Sequence, residues 1–198
     1  MEAIVEQIIR ESIKVKQEIV NNEKLINDIQ WIALKICESF RNGGKLVLCG
    51  NGGSASDALH FAGELLGRFQ MERMPLPAIV LNADVVTNTC ISNDYGYDEV
   101  FARQVKGLVN VNDFFMGIST SGNSENVIKA AMAAKEMGAQ TAALIGKGGG
   151  RLKEYLDYSI IIPSDNTARI QECHITIIHS ICEIIEKEMN KYGKSNFS

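Results

Sequence analysis

The feature that most constrains the fold of this chain is a set of five short, nearly unbroken apolar runs. The segments between them show the apolar spacing of helices. Apolar runs that lack polar–apolar alternation are typical of strands buried on both faces. Strands that alternate with helices form a parallel sheet covered by helices on both sides. We therefore predict one α/β domain with strands at 45–49, 78–81, 114–118, 141–145 and 159–162. The helices predicted around these strands cover 54–67, 84–92, 97–109, 124–137, 150–155 and 167–191.

Residues 1–42 precede the first strand and show the apolar spacing of two amphipathic helices. A break is expected at Asn21-Asn22, and Asn42-Gly43-Gly44 ends the second helix. We predict a helical pair at 1–42 and a main domain at 43–198. The pair either packs on the protein's own sheet or associates subunits, and the wide apolar surface around Trp31 favours association.

Composition and charge exclude several classes of protein. The 198 residues are 45% hydrophobic and 22% charged, which is typical of a globular domain. Twenty basic against 24 acidic residues give a net charge of −4, so no nucleic-acid partner is expected. No apolar stretch approaches the roughly 18 residues of a membrane span, and no signal peptide is recognised. The five cysteines lack metal-site spacing and are predicted to be free thiols, buried except for Cys90, which indicates the cytoplasm.

Two loops that follow predicted strands are candidate ligand sites, because open parallel sheets bind ligands at the carboxyl ends of their strands. The first loop, Gly50 to Ser54, would let an anion approach the start of the next helix. An equally good interpretation is that Ser54 and Asp57 form the capping box of an ordinary helix.

The second loop, residues 119–125, carries four hydroxyls around Gly122. One of them, on Ser124, is explained as the helix cap, but four exceed what capping needs. Hydroxyls and backbone amides at a helix start form a phosphate cradle that requires no lysine. We therefore predict phosphate binding at this loop. A third glycine cluster, 146–150, has no hydroxyls and is interpreted as a flexible turn.

The histidines are the candidate acid–base and metal-binding groups. His60 lies four residues before Glu64, so both side chains project from one helix face and can share a metal or a substrate. Taken alone, His179 lies among aliphatic residues as a core residue would, and His174 is interpreted as structural. Gln171 and His179 are separated by ~12 Å on a straight helix, too far to hold one ion. Either that helix bends at its start or a second subunit completes the site.

Taken together, five segments resemble the sugar-isomerase (SIS) domain family, and specifically its phosphoheptose isomerases. With the two leading helices, the resemblance covers essentially the whole chain, and five motifs in matching order make it specific. Ala168 departs from the family, whose members often carry aspartate before the Arg-Ile-Gln run. The resembling segments are 50–69, 76–82, 91–105, 117–127 and 168–179.

The resemblance implies a flavodoxin-like sheet, a homotetramer with active sites at subunit interfaces, and a sugar-phosphate substrate. It implies conversion of sedoheptulose 7-phosphate to D-glycero-D-manno-heptose 7-phosphate through an enediolate, the first step towards the ADP-heptose of lipopolysaccharide cores. The family's catalytic pair falls on Glu64 and His179, and one zinc ion per subunit would bind at His60, Glu64, Gln171 and His179. Its substrate contacts fall on Asn51, Gly52, Gly53, Ser54, Glu64, Asn93, Asp94, Ser119, Thr120, Ser121, Ser124 and Gln171.

A second function remains open, that of a non-catalytic SIS-domain scaffold that binds the bacterial replication initiator. Such proteins share the fold and much of the loop sequence, but they replace the acid–base residues. This chain keeps Glu64 and His179. The sequence therefore favours the enzyme.

Overall fold

The computed structural model describes residues 2–195, and within them the strands form one five-stranded parallel sheet. The strand order is β2-β1-β3-β4-β5, which is the order of the flavodoxin fold. This confirms the predicted fold class. The strands are β1 (Leu46–Gly50), β2 (Ala78–Val80), β3 (Phe114–Ser119), β4 (Gln140–Ile145) and β5 (Tyr158–Ile161).

Helices cover both faces of the sheet, because alternate residues of each buried strand point to opposite sides. The helices are α1 (Glu2–Val20), α2 (Glu23–Arg41), α3 (Gly53–Leu66), α4 (Val85–Tyr95), α5 (Val100–Leu108), α6 (Glu125–Glu136) and α7 (Thr167–Ser195). Leu46 and Leu48 contribute to the core beneath α1, α2, α3 and α7, whereas Val47 and Cys49 contribute to the core beneath α4, α5 and α6.

Two local predictions are wrong. The helix expected at 150–155 is a short 3-10 turn, Leu152–Tyr155. The capping box of Ser54 and Asp57 does not form, because Gly52 adopts a φ of +57° and caps α3 with its backbone. Glycine tolerates this conformation and other residues rarely do, so the helix begins before Ser54, which is buried.

The two leading helices differ in how they use their apolar residues. One face of α2 is buried against α7 and β5, through residues such as Ile29, Ile32 and Ile36. Helix α1 is held to the core near its end by Val15 and Ile19. Its remaining aliphatic face is exposed, at Ile4, Val5, Ile8, Ile9 and Ile13. Thus α2 packs on the protein's own sheet, α1 keeps an open apolar face, and the boundary at residue 42 stays a prediction.

The cysteine prediction is confirmed, since all five thiols are free and only Cys90 is exposed. Across the part of the chain that the structure describes, none of the helices has the length and apolar character needed to cross a membrane.

Candidate active site

The two predicted ligand loops lie side by side at the point where the strand order reverses. Strands β1 and β3 are neighbours, but α3 follows β1 to one face of the sheet and α6 follows β3 to the other. Because the connections that follow the two strands lead to opposite faces of the sheet, a crevice opens between them at the carboxyl ends of the strands. The crevice is the expected position for a ligand site in this fold.

A pair of asparagines joins the first loop to the start of α6. The Asn51 Nδ2 donates to Asn126 Oδ1 at 2.9 Å, and Asn126 Nδ2 donates back to Asn51 Oδ1 at 3.0 Å. The Tyr97 hydroxyl also donates to Asn51 Oδ1, at 2.8 Å. The predicted contact residue Asn51 therefore holds the crevice in shape, with help from two residues that the sequence analysis missed.

The second loop presents hydroxyls at the amino end of α6. Ser124 occupies the predicted cap position, yet in the described structure its side chain does not cap the helix. Its hydroxyl instead lies 3.1 Å from that of Ser119, which also accepts the Gly122 N–H at 3.2 Å. Hydroxyls beside the free N–H groups and positive dipole end of a helix suit a phosphate group.

The third glycine cluster supports the second loop, a role that its interpretation as a flexible turn misses. A Cβ on Gly122, which has a φ of +64°, would lie 2.1 Å from the Gly149 carbonyl oxygen. The Leu152 N–H donates to the Gly122 carbonyl at 2.8 Å, and the Arg151 N–H donates to Asn123 Oδ1 at 3.0 Å. The glycines thus allow close packing that fixes the hydroxyl-bearing loop.

Three potential ligand atoms converge where α3 packs against α7. The His60 Nε2 lies 3.1 Å from Glu64 Oε1 and 2.9 Å from His179 Nε2. All three residues offer a ligand atom within 4.8 Å of the others. His179 is half-buried and belongs to this cluster, so the core position that its aliphatic neighbours in the sequence suggest is not the one it occupies.

This cluster, His60–Glu64–His179, has the chemistry of a metal site. A neutral imidazole has one acceptor nitrogen, and only one proton can lie between the two facing Nε2 atoms. A cation would instead satisfy both nitrogens and the carboxylate oxygen at once. Imidazole nitrogen and carboxylate oxygen are the donors that zinc binds in catalytic sites.

Gln171 lies away from the cluster. Its Nε2 would be 2.2 Å from a Cβ on Gly53, so its side chain contacts the first glycine loop. Helix α7 is continuous from Thr167 to Ser195, which puts Gln171 about 12 Å from His179 along the axis. The unbroken helix gives no support to a bent start, and the alternative of a second subunit stays a prediction.

The predicted contact residues Asn93 and Asp94 lie exposed at the end of α4. The Asn93 Nδ2 donates to Asp94 Oδ1 at 2.9 Å, and the Cys90 thiol lies 3.7 Å from Asp94 Oδ2. Tyr97, which contacts the first loop, follows them closely in the chain. Their own contact with substrate stays a prediction.

Two residues near the cluster were missed by the sequence analysis. The ring of Phe69 stacks on His179 with centroids 5.6 Å apart. Asp57 on α3 has a carboxylate oxygen, Oδ2, that is buried with no hydrogen-bond partner among the described residues. Burial raises the pKa of Asp57 to about 6, and the nearby His60 partly opposes the shift. Neither had a local signal, because each depends on how α3 meets the rest of the fold.

His174 lies in the interior and away from the cluster, so its interpretation as a structural residue stays the preferred one. It is fully buried, and this burial lowers its pKa to about 4, while the backbone of Ile145 partly opposes the shift. The ring therefore stays neutral at physiological pH.

Comparison with known proteins identifies the class of this protein. The sequence profile of the SIS domain matches residues 9–146. A phosphoheptose isomerase from Sulfurimonas denitrificans is 47% identical over 190 residues, which are 96% of this chain and 97% of the relative. One from Helicobacter pylori strain P12 is 55% identical over 152 residues, 77% of this chain and 79% of the relative.

Solved structures agree with the sequence relatives. The phosphoheptose isomerase from Neisseria gonorrhoeae superimposes with a TM-score of 0.88 at 42% identity, over 94% of this chain and 98% of that one. The chain therefore belongs to the SIS-domain family. Within that family it is an enzyme of the phosphoheptose isomerase group, as the resemblance of its motifs predicted.

Proposed function

We propose that this enzyme interconverts sedoheptulose 7-phosphate and D-glycero-D-manno-heptose 7-phosphate. The observation that carries the proposal is the convergence of Glu64 and His179 at the His60–Glu64–His179 cluster. A carboxylate and an imidazole in contact range are the acid–base groups that an aldose–ketose isomerisation needs. The scaffold alternative does not require this pair.

The hydroxyl-bearing loop supplies the phosphate site. Ser119, Thr120, Ser121 and Ser124 would donate to the phosphate oxygens, and the amino end of α6 adds its N–H groups. The sugar chain would then extend past Gly52 and Gly53 towards Gln171. Because Gly52 lacks a side chain and has open space beside it, the backbone of this loop can approach the sugar closely.

Glu64 and His179 would divide the proton transfers. The Glu64 carboxylate takes the proton from C1 of the ketose, and an enediolate forms. His179 moves a proton from the C1 oxygen to the C2 oxygen. Glu64 then returns its proton to C2, which leaves the aldehyde at C1.

One zinc ion per subunit fits this arrangement, with His60, Glu64 and His179 as ligands from this chain. Glu64 would bind through one carboxylate oxygen and His179 through one ring nitrogen, which leaves the second atom of each free for proton transfer. When bound, zinc would polarise the substrate carbonyl and stabilise the negative charge on oxygen. Gln171 is proposed as the fourth ligand and would come from a second subunit, since it cannot reach the cluster on its own helix.

A homotetramer with shared active sites is proposed from two observations. The open apolar face of α1 can associate with another copy of the chain. In addition, His60 lies seven residues after Gly53, which puts the cluster about 10 Å along α3 from the first loop. A neighbouring subunit could therefore bring its own cluster close to the phosphate loop of this one.

The cytoplasm is proposed as the location of the enzyme, because its cysteines are free thiols.

The test is to incubate the purified protein, supplied with zinc, with sedoheptulose 7-phosphate in deuterium oxide and to follow the sugar by proton NMR. We expect the aldoheptose phosphate to appear with deuterium at C2. Glu64→Gln should not form it, whereas Glu136→Gln, at an exposed position on α6, should match the wild type. Absence of conversion by the tetrameric wild type would overturn the proposal.

A further inference from the structure

A buried carboxylate on α7 holds the loop that follows α3. Glu186 is 2% exposed and lies seven residues after His179, which puts both side chains on the same face of the helix. The carboxylate accepts three backbone N–H groups in succession, from Phe69 at 3.3 Å, Gln70 at 2.9 Å and Met71 at 3.0 Å. Hydrogen bonds to an ionised acceptor are among the stronger ones in proteins. The loop is therefore fixed to α7 close to the acid–base pair.

We call Glu186, its bonds to the backbone of 69–71 and its ion pair with Arg73 the anchor. Arg73 extends this anchor to α3. The Arg73 side chain is 8% exposed, and its Nε lies 3.3 Å from Glu186 Oε1. Its two terminal nitrogens donate to the carbonyls of Glu64 at 2.7 Å and Leu65 at 2.8 Å. These carbonyls belong to the last turn of α3, where a cation satisfies free acceptors and complements the helix dipole. One ion pair thus holds the end of the helix that carries Glu64.

The anchor also determines what lies against His179. Phe69, whose N–H bonds Glu186, stacks its ring on His179 at an interplanar angle of 29°. Both members of the acid–base pair are therefore connected to Glu186, Glu64 through Arg73 and His179 through Phe69. Glu186 and Arg73 themselves are not members of the cluster.

We propose that Glu186 and Arg73 are positioning residues for the isomerisation, because they keep Phe69 on His179 and hold the end of α3 at Glu64. This inference rests on the proposed roles of Glu64 and His179. A buried ion pair stabilises little more than apolar packing would, so stability alone does not explain it. Displacing a reacting group by about 1 Å costs on the order of 10²-fold in rate, which gives the anchor a catalytic effect.

The test compares Glu186→Gln with a matched control at the opposite end of the sheet. Asp113 is also a buried carboxylate that accepts backbone N–H groups and pairs with a cation, Lys45. Both Glu186→Gln and Asp113→Asn should lower Tm. Only Glu186→Gln should lower kcat, by about 10- to 100-fold with a nearly unchanged KM, and shift the pH profile of kcat.

A second readout does not depend on turnover. In metal-free protein, the ring protons of His179 should show the ring-current shift of a stacked Phe69 in the wild type and lose it in Glu186→Gln. The chain has three histidines, so single substitutions assign the signals. If the wild type lacked isomerase activity but this shift still changed, the proposed function would fail and the positioning geometry would stand.

The proposal is overturned if Glu186→Gln lowers Tm as Asp113→Asn does but keeps the wild-type kcat, pH profile and His179 shift. If Glu186→Gln does not fold, Phe69→Leu decides, because it removes the stacked ring and leaves the anchor in place. We expect Phe69→Leu to lower kcat and change the His179 signal. Wild-type kcat and pH profile in Phe69→Leu would also overturn the proposal.

Discussion

The loops at the two ends of the sheet carry similar polar residues and use them differently. At the amino end, Asp113 accepts N–H groups from Lys45 and Asn110 as well as the Lys45 ammonium, and Asp157 accepts both the N–H and the hydroxyl of Thr141. Each of these carboxylates is satisfied within the chain, so it contributes to the fold.

The carboxyl end keeps its polar groups available. The hydroxyls of Ser119 and Ser124 contact each other at the start of α6. Asp57, on the helix that begins at this end, has a buried oxygen without a partner in the described residues. A hydroxyl pair can still donate or accept a further hydrogen bond, and the unpartnered Asp57 oxygen can accept one, so both suit a ligand. The difference teaches that similar polar residues are used up in the fold at one end and keep hydrogen-bonding capacity at the other.

The largest expected effect is on turnover, at the acid–base pair. Glu64→Gln and His179→Ala should each lower kcat by about 10³-fold or more, because each removes a group that transfers a proton. Far-UV circular dichroism and Tm should stay close to the wild type, since both side chains are partly exposed. Near-normal activity in either variant would show that the assigned role is wrong.

At the amino end of the sheet, a substitution should lower stability and leave turnover unchanged. Asp113→Asn should lower the free energy of unfolding by about 3 kcal/mol, because it weakens two backbone hydrogen bonds and leaves the Lys45 ammonium without its charge partner. Urea denaturation measures the loss, and kcat should be unchanged under conditions where the variant is folded. A lower kcat in folded Asp113→Asn would break the comparison between the two ends.

Substitutions in the predicted phosphate loop, residues 119–125, should weaken substrate binding. The single variant Ser124→Ala should lower kcat/KM by about 10- to 100-fold, because one hydrogen bond to a charged phosphate contributes about 1.5–3 kcal/mol. Most of the change should be in KM. Inhibition by inorganic phosphate provides a second measurement, and an unchanged inhibition constant would place the phosphate elsewhere.

The smallest expected effect is on the pH dependence of stability, and it concerns Asp57. Unlike Asp113, this acid has a buried oxygen without a partner in the described residues. Burial raises the pKa of Asp57 from 3.8 to about 6, so the folded state binds more protons than the unfolded state between these pH values. Stability therefore falls as pH rises through this window and stays lower above it. In metal-free protein, Asp57→Asn should remove this fall and raise the free energy of unfolding at pH 7. The full shift corresponds to about 3 kcal/mol, and partial solvent exposure of the carboxyl reduces the expected gain to about 2 kcal/mol. Denaturation at pH 4 and pH 7 tests this, and a variant that is less stable than the wild type at pH 7 would contradict it.

Much of the fold could be predicted, because the lengths of the apolar runs and their helical spacing report burial directly. The strands lie within about two residues of the predicted ranges, and the break between α1 and α2 falls at the two asparagines as expected, where Asn22 caps α2. The start of α3 lies within one residue of the prediction, but the capping-box interpretation of Ser54 and Asp57 is wrong. The conformation of Gly52, which no motif specified, set the helix start instead.

Some contacts in the site join residues that are close in sequence, and others join residues that are far apart. His60 and Glu64 share a helix face through their spacing, so their contact could be read from the chain. His179 is 119 residues from His60 and reaches it only because α3 and α7 pack together. The bonds from Glu186 to the backbone of 69–71 had no sequence signal, because any residue supplies an N–H group.

The sequence by itself determined the order of strands and helices, the two ligand loops and the family to which the chain belongs, since these depend on local pattern and motif. Only the tertiary structure decided which side chains meet. It joined His179 to His60 and Glu64, placed Gln171 against the first glycine loop, and stacked Phe69 on the imidazole of His179. The physical reason is that local spacing determines which face of an element a residue occupies, whereas contact across elements depends on how whole helices pack on the sheet.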